Sequence, residues 1–128
     1  MKGSVKQGMV SMLLTLGILI VTFTGFVFLA SPSEFQFISP EELKKWIETK
    51  ADILVVDVQP KIAYEIGHIK GAINFPWASE IKGPVNLPKD KLLVMYCDCA
   101  HEEDSTDVAK QLIEEWGYKG SNIKLLKG

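Results

Sequence analysis

The sequence predicts an α/β domain, a small open parallel β-sheet flanked by helices and preceded by one transmembrane helix. Three observations lead there. Residues 52–58 (DILVVDV) and 91–96 (KLLVMY) are near-continuous apolar runs, the pattern of strands covered on both faces of a parallel sheet. Helical apolar patterns alternate with these strands, so the connections should be right-handed crossovers. Finally, residues 9–30 (MVSMLLTLGILIVTFTGFVFLA) carry no charge. At 1.5 Å per residue that run is long enough to cross a hydrocarbon layer of about 30 Å.

Lys2 and Lys6 precede the apolar run, and Glu34 is the first charge after it. The positive-inside rule therefore puts residues 1–8 in the cytoplasm, makes 9–30 a signal anchor, and sends the domain to the extracytoplasmic side, periplasmic or extracellular. A cleaved leader fits less well. Its apolar region would be shorter, and Phe28 stands where a small residue should precede a cut after Ala30. Residues 31–34 (SPSE) read as a linker, and 35–128 as the domain.

Within the domain, residues 35–38 alternate like a short strand. Ser39-Pro40-Glu41-Glu42 is a helix start, with a capping serine, a proline in the first turn and a glutamate placed to close a capping box. Leu43, Trp46 and Ile47 share one face of that helix and are expected in the core. The central strand 52–58 follows. A helical turn near residues 63–66 leads through Gly67 to a third strand at 72–75, and prolines and a glycine make 77–90 irregular. The run 91–96 should be the innermost strand. Ser105 is expected to cap a helix whose stripe of Val108, Ala109, Leu112, Ile113 and Trp116 ends at Gly117, and a last strand spans 122–126.

Composition narrows the chemistry. The net charge is −2, and all 14 basic side chains are lysines, so nucleic acid is a poor partner and no guanidinium fork is present to clamp an anion at two points. Two cysteines occur, Cys97 and Cys99, one residue apart. A disulfide within C-x-C would close a tight ring and should be easily reduced. Cys97 directly follows the buried strand, and the loop 97–104 delivers the chain to the helix at Ser105. A cysteine after a strand is by default an inert buried thiol. Here the carboxyl end of a parallel strand meets a helix N-terminus, whose unpaired N–H groups and positive dipole end stabilise an anion. A thiolate placed there has a lowered pKa and becomes both a better nucleophile and a better leaving group.

On these residues the domain resembles the rhodanese family. Ser39-Pro-Glu-Glu-Leu43 matches its opening helix, and residues 67–76 (GHIKGAINFP) match its GHIxGAxNxP signature. Met95-Tyr96-Cys97 resembles the strand end that bears the catalytic cysteine, and Gly117-Tyr118 with the closing LKG resembles its final segment. The resemblance implies a sulfurtransferase in which Cys97 accepts sulfane sulfur as a persulfide. Asp98, Cys99, Ala100, His101, Glu102, Glu103 and Asp104, with Ser105, would form the loop whose N–H groups cradle it. Asp57 and His68 would be structural hydrogen-bonding residues, with His68 not a general base. No cofactor and no metal are implied. The partners would be a small sulfur donor or protein persulfide and an acceptor thiol or cyanide.

The sequence departs from the family in four places. Gln59 stands where an arginine is common, and the chain stops at Gly128, short of the usual final helix. The loop is longer than usual and holds Asp98, Glu102, Glu103 and Asp104, an acidic rim that repels a dianion such as thiosulfate. Cys99 stands at the family's usual distance from Ser105, so it is either an alternative nucleophile or a resolving thiol that attacks loaded Cys97 and releases sulfide. Two other readings stay open: a non-catalytic binding module on the same fold, and a soft-metal site from Cys97, Cys99 and His101.

Overall fold

A computed structural model of the chain describes residues 35–98 and 102–128. The anchor expected at 9–30 and the linker at 31–34 lie outside the described residues, among which no helix is long and apolar enough to cross a membrane. In chain order the domain consists of β1 (Gln36–Ile38), α1 (Pro40–Glu48), β2 (Ile53–Asp57), α2 (Lys61–Ile66), β3 (Ile73–Asn74), β4 (Leu92–Tyr96), α3 (Glu103–Glu114), a 3₁₀ turn (Gly120–Asn122) and β5 (Ile123–Leu126). The strands form one five-stranded sheet in the order β1-β5-β4-β2-β3, and every pairing is parallel. The run 91–96 is thus central, as its composition predicts.

Parallel neighbours cannot be joined by a tight turn, so each connection must cross a face of the sheet. The pleat then divides the side chains. Leu54 and Val56 of β2, with Leu93 and Met95 of β4, face one side, where Val108, Ala109 and Leu112 of α3 cover them. Val55, Val94 and Tyr96 face the other side, with Leu43 of α1. Two apolar faces on one strand explain why β2 and β4 show no polar alternation.

Helix α1 starts as its sequence predicts: the hydroxyl of Ser39 accepts from the backbone N–H of Glu42 at 3.2 Å, with Pro40 in the first turn. Its apolar face is narrower than expected. Leu43 is buried and Trp46 half-buried, but Ile47 is 37% exposed, because it borders an apolar groove of about 380 Å³ shared with Leu43, Ile69 and Leu126. The irregular segment after β3 is pinned to α3 by Gln111, a buried polar side chain. It accepts from the N–H of Ile81 at 2.8 Å and donates to the carbonyl of Ala78 at 2.9 Å. Gly83 packs under the Trp116 ring, where a Cβ would come within 2.3 Å of it, so only glycine fits. Gly117 takes a φ of +70°, which lets the chain leave α3 and Tyr118 N–H reach back to the carbonyl of Leu112 at 3.0 Å.

These placements separate two leucine-like truncations. Leu112→Ala should lower stability to urea by about 2–5 kcal/mol through a cavity under β4, whereas Ile47→Ala, at the groove, should cost less than about 1 kcal/mol. Equal losses would show that α1 is packed as deeply as α3.

Candidate active site

The site begins with strand parity. Cys97 continues the Leu93, Met95 series, so the pleat turns it toward α3, and it packs half-buried against that face of the core. Its Sγ lies 3.9 Å from the hydroxyl of Ser105, which is fully buried in the first turn of α3. The expectation that Ser105 caps this helix is corrected. The helix starts at Glu103, and the residue before it, Glu102, enters with φ 52° and no side-chain cap. Ser105 instead donates to the carbonyl of Glu102 at 3.0 Å, a hydroxyl turned back on its own turn. Among the described residues no side chain caps the first turn of α3, and backbone N–H groups at a helix start suit an anion.

Tyr96 points the other way. It is in register with Asp57 across β2 and β4, so their side chains stand on the same face. The Tyr96 hydroxyl donates to Asp57 Oδ2 at 2.7 Å and accepts from the N–H of Ile69 at 3.0 Å. Asp57, wholly buried, also accepts from Gln59 through its backbone N–H at 2.8 Å and its side-chain Nε2 at 3.3 Å. Gln59 thus supplies two donors to the aspartate. Asn74 donates to the carbonyls of Asp57 and Gln59 and ties β3 to the same knot. Sequence reasoning placed Asp57 in a structural role but passed over Tyr96; the signal was a tyrosine ending one buried strand beside another that ends in aspartate.

Beneath Cys97 opens a cleft of about 600 Å³, lined among others by Gln59, Ile66, His68, Tyr96, Cys97 and Asp98. His68 Nδ1 meets the carbonyl of Tyr64 at 2.8 Å. A carbonyl only accepts, so Nδ1 carries a proton in this contact. The imidazole stacks on Tyr64 at 3.8 Å between ring centres, and the Tyr64 hydroxyl donates to Ala72 O at 2.7 Å. His68 thus closes the end of α2 and forms cleft wall at once.

The loop itself is described at both ends. Asp98 is exposed at the cleft, Glu103 and Asp104 open α3, and Glu102 accepts from the N–H of Gly128 at 3.1 Å. Cys99, Ala100 and His101 lie outside the described residues. Cys97 is held in a disulfide. Among the described residues no group of three His, Cys, Asp or Glu is placed to hold a metal ion.

Burial, reinforced by the bond to Asp57, raises the Tyr96 hydroxyl above its ordinary value of 10.0, and burial raises Tyr118 as well. The folded state therefore holds these protons more tightly than the unfolded one. Stability is intact below the ordinary tyrosine value and declines as pH rises beyond it, by at most about 1.4 kcal/mol per pH unit for each tyrosine. Tyr96→Phe should cost about 1–3 kcal/mol near neutrality, since it strips a donor from buried Asp57. Urea titrations at neutral and alkaline pH check both points: the variant's alkaline decline should be shallower, and an unchanged decline would mean Tyr96 is not the titrating group.

Comparison with known proteins agrees with this geometry. The rhodanese-like domain family matches residues 39–128. The adenylyltransferase and sulfurtransferase UBA4 of Meyerozyma guilliermondii is 32% identical over 84 residues, which are 61% of this chain and 19% of that protein. The probable adenylyltransferase/sulfurtransferase MoeZ of Mycobacterium tuberculosis is 32% identical over 70 residues, 53% of this chain and 18% of the other. The chain thus spans about a fifth of either relative. The crystal structure of the BH2092 protein from Bacillus halodurans superimposes with a TM-score of 0.60 at 27% identity, covering 73% of this chain and 66% of that one. The matched region takes in α1, the central strands, the Cys97 loop and α3, so the chain belongs to the rhodanese-like domain family, a kinship that supports sulfur transfer at the level of the family.

Proposed function

We propose that the domain is a sulfurtransferase that carries sulfane sulfur as a persulfide on Cys97. One observation carries the reading: Cys97 leaves the central strand 3.9 Å from a buried hydroxyl in the first turn of α3, at the edge of a cleft of about 600 Å³. The reduced Cys97 thiolate attacks the outer sulfur of a donor persulfide and expels the donor thiolate. An acceptor thiolate, or cyanide, then attacks the outer sulfur of the Cys97 persulfide and restores the Cys97 thiolate. The first-turn amides of α3 hold the negative charge on sulfur at each stage. No cofactor takes part.

The acidic loop selects the donor. Asp98, Glu103 and Asp104 repel dianionic thiosulfate and accept a neutral or protein-bound persulfide. With residues 9–30 as anchor, the domain works outside the cytoplasm, where disulfides persist. The disulfide at Cys97 then marks a resting state that a thiol reductant must open before sulfur is taken up. It also favours a second course, in which the Cys99 thiolate attacks Cys97 Sγ of the persulfide, hydrosulfide leaves, and the two cysteines end as a disulfide.

The test is mass spectrometry of the full-length chain after incubation with cysteine persulfide. Prior reduction should be required, and a gain of one sulfur should be seen in wild type and Cys99→Ser but not in Cys97→Ser. Cys99→Ser should release less sulfide than wild type, and thiosulfate should load at least about tenfold more slowly. Loss of loading in Cys99→Ser alone would reassign the nucleophile, and no loading in any form would leave a non-catalytic binding module.

A further inference from the structure

We propose that the exposed ridge of α2 beside the Cys97 cleft docks a partner protein's segment in which the acceptor cysteine is flanked by cationic and apolar side chains. This rests on the sulfurtransferase reading and names its acceptor.

Helix α2 buries none of its residues. Ile62 is 72% and Ile66 85% exposed, more than any other large apolar side chain among the described residues. Four residues apart on a helix, they are neighbours and form one ridge. Ile66 also lines the cleft that holds Cys97, so anything reaching the sulfur from this side passes over the ridge. Isolated surface isoleucines need no explanation, but a pair standing at the mouth of a reactive cleft is a contact surface.

Charge decides what covers it. Asp98 lines the same cleft as Ile66, and Glu103 and Asp104 open α3, the helix that follows the Cys97 loop. Among the described residues the ion pairs are Lys44–Glu48, Lys61–Glu65, Lys82–Glu80 and Lys91–Asp52, so none neutralises these three carboxylates. Of the carboxylates near the ridge, only Glu65 is matched, by Lys61 at 3.7 Å. The complement of an apolar ridge beside unpaired carboxylates is a segment with apolar and cationic side chains. Cations beside the acceptor cysteine also favour its thiolate, the form that attacks the outer sulfur of the Cys97 persulfide. The bond formed is acceptor sulfur to outer sulfur, the bond broken is outer sulfur to Cys97 Sγ, and Cys97 leaves as thiolate.

Two synthetic peptides test this against the full-length chain, one with cysteine between lysines and a leucine, the other with glutamates in place of the lysines. Each rate is referred to that peptide's own reaction with a small persulfide, which removes differences in thiol acidity. The lysine peptide should be sulfurated about tenfold faster, and rising salt should narrow the gap. Ile62→Ser, at a position outside the cleft, removes the apolar contact without adding charge and should slow the lysine peptide several-fold while leaving transfer to 2-mercaptoethanol unchanged. Equal rates for the two peptides at low salt, or an Ile62→Ser loss shared with 2-mercaptoethanol, overturns the docking surface. A wild-type chain that takes up no sulfur fails earlier, before any peptide is added, and removes the reading on which the surface rests.

Discussion

The hydrogen bond from the Tyr96 hydroxyl to the buried Asp57 carboxylate is the constraint on which the site depends. The two residues are opposite one another in the β2–β4 pairing, and a buried carboxylate tolerates its position only when its oxygens are supplied with donors. A slip of one residue would carry Tyr96 to the other face, leave Asp57 short of a donor and send Cys97 away from α3. The polar knot therefore specifies register, and register aims the cysteine. Its energy is modest beside that of the apolar core, yet the core alone, rich in interchangeable aliphatic groups, specifies register less sharply than a pairing that only one alignment satisfies.

The electrostatics of the loop are a balance of opposed effects. On the proposed reading the start of α3, which no described side chain caps, faces an anion on sulfur, while Glu103 and Asp104 in that same turn interact favourably with the helix dipole and draw on the same positive end. Glu102 is directed elsewhere, to the N–H of Gly128. On that reading the site would hold one negative charge on sulfur and be poorly suited to gathering a second. Gln59 reinforces this, because its amide is engaged by Asp57 and supplies no cation to the cleft.

Much of the fold was legible in the sequence because strong local signals agreed with the tertiary structure. The runs at 52–58 and 91–96 lie side by side at the centre of the sheet, and Ser39-Pro40 starts α1 as its chemistry dictates. The errors have physical causes. Ile47 fits the helical period of α1, but periodicity reports which way a side chain points and not whether anything packs over it. Ser105 is a good cap by type, yet the entry at Glu102 in a left-handed conformation moved the helix start earlier, a backbone choice that a glutamate does not advertise. The Asp57–Tyr96 bond joins residues 39 apart in sequence and becomes visible only once register is known.

The same logic bears on the apolar surface that stands beside the Cys97 cleft. A cleft that recognised its substrate chiefly by positive charge would admit many small anions, and with no arginine in the chain and carboxylates at the lip, that route is closed. Specificity then has to come from rejecting the wrong charge and rewarding contact area, the two halves of discrimination by difference. Ile62 and Ile66 supply the second half at the cost of leaving isoleucine in water on a helix with no fully buried residue. Such an arrangement is hard to account for by folding stability, since neither side chain contributes to the core. It follows directly if the surface is completed only when a second chain lies across it.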